Sequence, residues 1–148
     1  MTPLPHQYTV ELSGGPMGYG SIETDGLPPI RIAPPRQYGG PGDAWTPEHL
    51  LLAAVEACFL FTFRAVAKAA HVDFEYLELS SEGTVDRQDG RTKFTSIVLR
   101  PRIVITSDVD LERVTQLLQK AERACLVSAS LETPVQQKPE VVSAACAV

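Results

Sequence analysis

The sequence predicts an α+β fold in which strands pack against one buried central helix. Three observations predict it. The stretch Thr46–Ala70 (TPEHLLLAAVEACFLFTFRAVAKAA) reads as a single long helix. Two strand-forming runs on either side of a turn, Phe74–Val85 and Lys93–Thr106, read as a hairpin. The first 45 residues, rich in Pro and Gly, hold only short extended pieces. At 148 residues the chain is expected to form one domain, 1–148, long enough to bury a core without disulfide staples.

Taken in order, Tyr8–Leu12 alternates in the strand manner, Ser13–Gly20 (SGGPMGYG) is a turn, and Ser21–Glu23 returns beside it. Ile30–Ala33 is a third short strand before Pro34-Pro35, and Tyr38–Asp43 (YGGPGD) is a loop leading to the helix. Neither glycine-rich turn matches a dinucleotide or phosphate-loop pattern.

The long helix has its start signals in place. Thr46 can cap, Pro47 suits the first helical position, and Glu48 favours the positive end of the helix dipole. It then continues for about 24 residues, roughly 36 Å. Between Leu50 and Phe63 only Glu56, Cys58 and Thr62 interrupt the apolar run. A surface helix would show a polar stripe, so this one is expected to be buried on nearly all sides. A membrane span is the competing reading; Glu56 within the run, and Arg64 and Lys68 soon after, weigh against it.

Past the helix, Asp86–Arg91 (DRQDGR) supplies the hairpin turn, and Pro101 marks an edge, a bulge or a kink in the second strand. Ser107 and Asp108 offer a cap for a second helix, Asp110–Ala124, with Leu111, Val114, Leu117 and Leu118 on one face. Cys125 follows its end, Ser128–Glu132 is a short connection with room for another helical turn, and Pro134–Val142 reads as one last strand.

Composition bounds the function. With a formal net charge of -5 and no basic stripe, the chain has nothing to neutralise phosphates, so nucleic acid is not an expected partner. The opening MTPLPHQYTV lacks the basic and apolar regions of a secretion signal, and three widely spaced cysteines do not make a disulfide framework. A cytoplasmic location is expected, with no membrane partner.

The cysteines are the candidate chemistry. Cys58 is either a small buried hydrophobe or a reactive thiol. The second role needs a cation or helix end to favour the thiolate, and a mid-helix position supplies no helix end, so the help must come from a side chain elsewhere. Cys58 and Cys125 can close a disulfide if the fold packs them face to face, which would make one thiol attack a peroxide and the other resolve the sulfenic acid. Cys146, in the tail, is a bystander. No CxxC or HxxxH pattern exists and His6, His49 and His71 are scattered, which argues against zinc and against a histidine-paired cysteine hydrolase. Glu48 lies ten residues from Cys58, about 15 Å along one helix axis, so the two cannot touch within a chain. Antiparallel pairing of the helix with its copy across a two-fold axis would bring them together.

Together, Thr46-Pro47-Glu48-His49-Leu50-Leu51, Ala57-Cys58-Phe59 and Ala124-Cys125-Leu126-Val127-Ser128, with GGPMGYGSIETDG and YGGPG upstream, resemble the OsmC/Ohr family (osmotically inducible protein C and organic hydroperoxide resistance proteins). The resemblance covers most of the chain. It implies an OsmC-like fold, an intertwined homodimer with two long central helices packed against antiparallel sheets that both chains build. It also implies a thiol-dependent peroxidase acting on organic hydroperoxides, with Cys58 peroxidatic, Cys125 resolving and Glu48 orienting an arginine. No cofactor is bound, and electrons come from an external dithiol such as a lipoylated protein.

In the organic hydroperoxide resistance branch the arginine follows an N-terminal Gly-Gly, but here Gly14-Gly15 precedes Pro16 and Met17. The osmotically inducible branch carries it in the loop before the long helix. Arg36 matches that, whereas Arg31 falls in an expected strand. Phe59 and Phe61 beside Cys58 are expected to line a pocket suited to bulky peroxides. The alternative is a binding or redox-sensing protein that keeps the fold without the chemistry.

Overall fold

A computed structural model of the chain describes residues 2–106 and 109–144. The expected cap at Ser107 and Asp108, and Cys146 in the tail, lie outside the described residues. The described chain groups into two compact units, Met1–Leu51 and Leu52–Val148.

In the first unit β1 (Glu11–Gly14), β2 (Gly20–Glu23) and β3 (Ile30–Ile32) form an antiparallel sheet in that order. The hairpin starts three residues later than the alternation of Tyr8–Leu12 implies, in the register Glu11↔Glu23 and Gly14↔Gly20. A loop then leaves β3 and returns to it. The Ala33 N–H donates to the Trp45 carbonyl at 2.9 Å, which ties the loop's two ends together. Within it Arg36–Tyr38 makes one 3₁₀ turn, and the loop leads directly to α1 (Pro47–Ala69). Thr46 caps α1 as its sequence suggests: its hydroxyl accepts the His49 backbone N–H at 3.2 Å and meets the His49 ring at 2.9 Å.

The second unit is built on a long hairpin, β4 (Phe74–Gln88) and β5 (Arg91–Ile105). Both strands run further than the turn-rich DRQDGR suggests, because the turn needs only Asp89 (φ 51) and Gly90 (φ 75). β6 (Val135–Gln137) and β7 (Glu140–Ser143) both pair with β5 in parallel, so this sheet is mixed rather than antiparallel throughout. The single strand expected over Pro134–Val142 is broken at Lys138-Pro139.

Pro101 is neither at an edge nor at a bulge. It is fully buried in central β5, opposite Leu79, and the bulges lie at Phe74/Tyr76 and Thr84/Val85. The Ile97 N–H and the Leu99 carbonyl bond toward the β6 side, to Pro134 and Lys138. Pro101, two residues on, therefore faces the gap where β6 has ended and β7 has not begun. No ladder hydrogen bond is lost there.

α2 (Leu111–Ala124) is capped by Asp110, whose carboxylate accepts the Glu112 N–H at 3.0 Å. Val114, Leu118 and Ala121 of α2 are buried, whereas Leu111, expected on the same face, is 51% exposed. They join Val55, Phe59, Phe63 and Ala67 of α1 and Ile97, Leu99, Ile103 and Ile105 of β5 in one core. The α1 residues repeat every fourth position and the β5 residues every second, as one helix stripe on one sheet face requires.

That stripe corrects the expectation of all-round burial. Within one chain α1 buries a single face, while Ala54, Ala57, Phe61 and Ala65 remain exposed. α1 is long and apolar enough to cross a membrane by length and composition, and its stripe of core residues accounts for part of that character.

Candidate active site

Two sulfurs meet in the second unit. Cys58 sits midway along α1 and is half-buried, and Cys125 is fully buried between two helices. Cys125 ends α2, its N–H donating to the Glu122 carbonyl at 3.1 Å. Its own carbonyl accepts the Ala129 N–H at 2.9 Å and so begins α3 (Leu126–Ala129). The extended backbone of Cys125 (φ -69, ψ 113) makes a sharp corner between the helices. The corner turns the free amides of the first turn of α3 toward Cys58.

Those amides govern the electrostatics. Partial burial works against ionisation of Cys58. The Val127 N–H, the Cys125 thiol, the Thr62 hydroxyl and the Leu126 N–H together outweigh it and hold the Cys58 pKa below the ordinary thiol value. Among these only Thr62 completes a hydrogen bond, Oγ1 to Sγ at 4.0 Å. The others face the sulfur as dipoles.

For Cys125 the balance is reversed. Burial pushes its thiol up and the neighbouring Cys58 adds to the rise, while the hydroxyl and amide of Ser128 pull the other way. The Ser128 hydroxyl is itself buried and completes no hydrogen bond among the described residues.

The expectation that a side chain must activate Cys58 is thus only part of the account, since backbone N–H groups of another helix start contribute. The sequence conceals this because Cys125 is not a common cap residue. Thr62, one turn from Cys58, was legible as an i, i+4 neighbour. Two residues before Cys58, Glu56 accepts a hydrogen bond from Ser81 of β4.

Phe59 does not line a pocket. It is 0% exposed and stacks on Phe63, with ring centroids 6.4 Å apart. Phe61 is exposed, with the Arg64 guanidinium 5.4 Å above its ring.

The charged candidates lie in the first unit. Arg31 is committed: it donates to the Asp43 carbonyl at 2.9 Å, pairs with the Asp43 carboxylate at 3.8 Å and covers the Tyr19 ring at 4.5 Å. Tyr19 donates to the same carboxylate at 2.9 Å. Arg36 has no ion-pair partner among the described residues, and its guanidinium lies directly against Gly42, where a β-carbon would collide with it. Glu48 has a buried Oε2 with no hydrogen-bond partner among the described residues. A buried carboxylate oxygen without a donor is costly, so this atom calls for a cation or N–H that the described residues do not supply.

Residues 40–140 match the family model described as OsmC-like protein. The chain is 30% identical over 124 residues to the uncharacterised protein YmaD of Bacillus subtilis, covering 82% of each chain. It is 29% identical over 109 residues to the organic hydroperoxide resistance protein of Xanthomonas axonopodis pv. citri, covering 71% of this chain and 72% of that one. The structure matches an organic hydroperoxide resistance protein OsmC from Legionella pneumophila with a TM-score of 0.73 and 28% identity, over 93% of this chain and 99% of that one.

Proposed function

The chain belongs to the OsmC-like protein family, and from that premise we propose that it is a cysteine-based reductase of organic hydroperoxides. The observation that carries the proposal is the pairing of a half-exposed, thiolate-favouring Cys58 with a buried Cys125 beside it. The names of the Xanthomonas and Legionella relatives supply the substrate class.

In the proposed cycle the Cys58 thiolate attacks the distal oxygen of the hydroperoxide, the O–O bond breaks, and the alkoxide leaves as alcohol after taking a proton. Cys58 is then a sulfenic acid. The Cys125 sulfur attacks it, water leaves, and a Cys58–Cys125 disulfide remains. An external dithiol, such as a lipoyl group on a protein, reduces the disulfide and is itself oxidised. No bound cofactor takes part. Arg36 is assigned as the cation that supports the thiolate, and Glu48 as the carboxylate that holds it; the donor-free Oε2 of Glu48 favours that assignment.

The working unit is proposed to be a homodimer in the cytoplasm. Exposed Ala54, Ala57, Phe61 and Ala65 form an apolar stripe of mostly small side chains, which suits close packing of α1 against its copy. Antiparallel pairing also brings Glu48 of the partner subunit level with Cys58.

The test is loss of free thiols after one equivalent of cumene hydroperoxide, in wild type and in Cys58→Ser. Rapid loss of two thiols per chain, abolished by the substitution, is the expected result. Slow loss that is the same in both proteins would replace the enzyme with an OsmC-like binding or redox-sensing protein. The break after Gly14-Gly15, where Pro16 and Met17 follow, already favours that rival. Turnover of hydrogen peroxide equal to that of cumene hydroperoxide would remove the organic preference.

A further inference from the structure

We propose that the Ser128 hydroxyl is held in reserve for the Cys125 thiolate, which it receives when the Cys58–Cys125 disulfide is opened by an incoming thiol. The assignment begins with an unexplained atom. Ser128 Oγ is buried and unpartnered among the described residues, although an alcohol removed from water without a partner is unfavourable. Ser130, which closes the same short helix, shows the usual remedy: its hydroxyl donates to the Leu126 carbonyl at 2.8 Å. Ser128 makes no such bond. It is the third residue of α3, whose cap is Cys125, and a cap side chain lies over the third residue of the helix it opens. That position sets Ser128 beside the Cys125 side chain, and both its hydroxyl and its amide favour the Cys125 thiolate.

Exposure fixes the direction of reduction. Cys58 is half-exposed and Cys125 has no accessible surface, so an external thiolate reaches only the Cys58 sulfur. Its attack forms a mixed disulfide with Cys58 and breaks the Cys58–Cys125 bond. The electron pair departs on Cys125. A second thiol of the same donor then displaces Cys58, and the donor leaves as its own disulfide. Thiol exchange runs faster when the departing thiolate is stabilised. The position from which Cys125 departs is dry, so the donors that line it decide the rate. A serine hydroxyl rotates freely and can turn its O–H to the sulfur when charge arrives.

The proposal rests on the disulfide step of the cycle above, and its test avoids the peroxide step. Wild type, Ser128→Ala and Ser128→Thr are oxidised with diamide, the Cys58–Cys125 bond is located by peptide mass, and its reduction by dithiothreitol is timed. Ser128→Ala is expected to be reduced about tenfold more slowly, the scale of one hydrogen bond to a charged group, with Ser128→Thr restoring most of the rate. The rate at which hydroperoxide consumes the Cys58 thiol is expected to stay unchanged in both variants. The thermal midpoint of reduced Ser128→Ala is expected to be no lower than that of wild type, because no formed bond is lost.

Reduction of Ser128→Ala at the wild-type rate would overturn the assignment, as would equal slowing in Ser128→Thr or failure of diamide to join the two sulfurs. If diamide forms the bond and hydroperoxide does not, the peroxidase proposal fails, and the dithiothreitol rates still decide the role of Ser128.

Discussion

Phe61→Ala is expected to dissociate the proposed dimer without unfolding the chain. Phe61 is 61% exposed on the outward face of α1, and it is absent from the core cluster that holds Phe59 and Phe63. A phenylalanine side chain buries about 150–250 Å² when covered, so the uncovered part amounts to roughly 120 Å². At ~25 cal/mol per Å² its burial contributes about 3 kcal/mol per chain. A two-fold interface counts the residue twice, which sets an upper value of about 6 kcal/mol. Arg64 stays over the ring in the free chain and covers some of it, so the realised loss is expected between about 3 and 6 kcal/mol, or roughly 10²–10⁴ in dissociation constant. Sedimentation equilibrium over a dilution series reads that constant, and far-UV circular dichroism checks that the fold is kept. A wild-type chain that is monomeric at micromolar concentration, or a variant that dissociates as wild type does, would refute the interface.

Two further expectations concern the site. Alkylation of Cys58 by iodoacetamide is expected to hold its plateau below the ordinary thiol range and to decline only as pH falls through the depressed pKa, because a thiol with a lowered pKa stays ionised to lower pH. Val127→Pro removes the foremost of the donors that favour the thiolate, and it is expected to move that profile to higher pH; an unmoved profile would assign the activation elsewhere. Gly42→Ala places a β-carbon against the Arg36 guanidinium at a backbone φ of 79, so Arg36 must move. If Arg36 supports the thiolate, peroxidase kcat/KM is expected to fall about tenfold or more while Cys125 remains alkylatable in unfolded protein; unchanged kinetics would release Arg36 from the mechanism.

Local signals made the helices and the long hairpin legible. Thr46-Pro47 opens α1, the α1 stripe runs through Phe59 and Phe63, and Asp89-Gly90 turns β4 into β5. Non-local features were less so. Pro101 reads as a disruption until β6 and β7 are seen to leave a gap beside it, and that gap depends on Lys138-Pro139, far along the chain. The apolar run in α1 reads as all-round burial, yet the chain covers only one side of it, because composition does not say how much of a helix its own chain can cover. At the site, the side chains were legible and the backbone was not. Cys58, Cys125 and Thr62 can be picked out as residue types, whereas the amides of Leu126 and Val127 belong to no residue type and matter only through the corner at Cys125.

That corner shows how two identical functional groups could take the different tasks of the proposed cycle. Nothing in the chemistry of cysteine distinguishes Cys58 from Cys125; their surroundings do. One short turn presents Leu126 and Val127 amides to Cys58, while burial pushes the Cys125 pKa up. Environments that push two neighbouring groups apart in pKa are how a site divides labour between like residues. In the proposed cycle the more exposed Cys58, which favours its thiolate, is suited to meet a peroxide first, and the buried Cys125 thiol is shielded until a sulfenic acid forms alongside. If the two tasks follow from the corner, lengthening it should blur them. Insertion of one glycine between Cys125 and Leu126 is expected to narrow the difference in alkylation rate between the two cysteines, which mass spectrometry of partly alkylated protein measures directly. A difference that survives the insertion would place its origin in α1 alone.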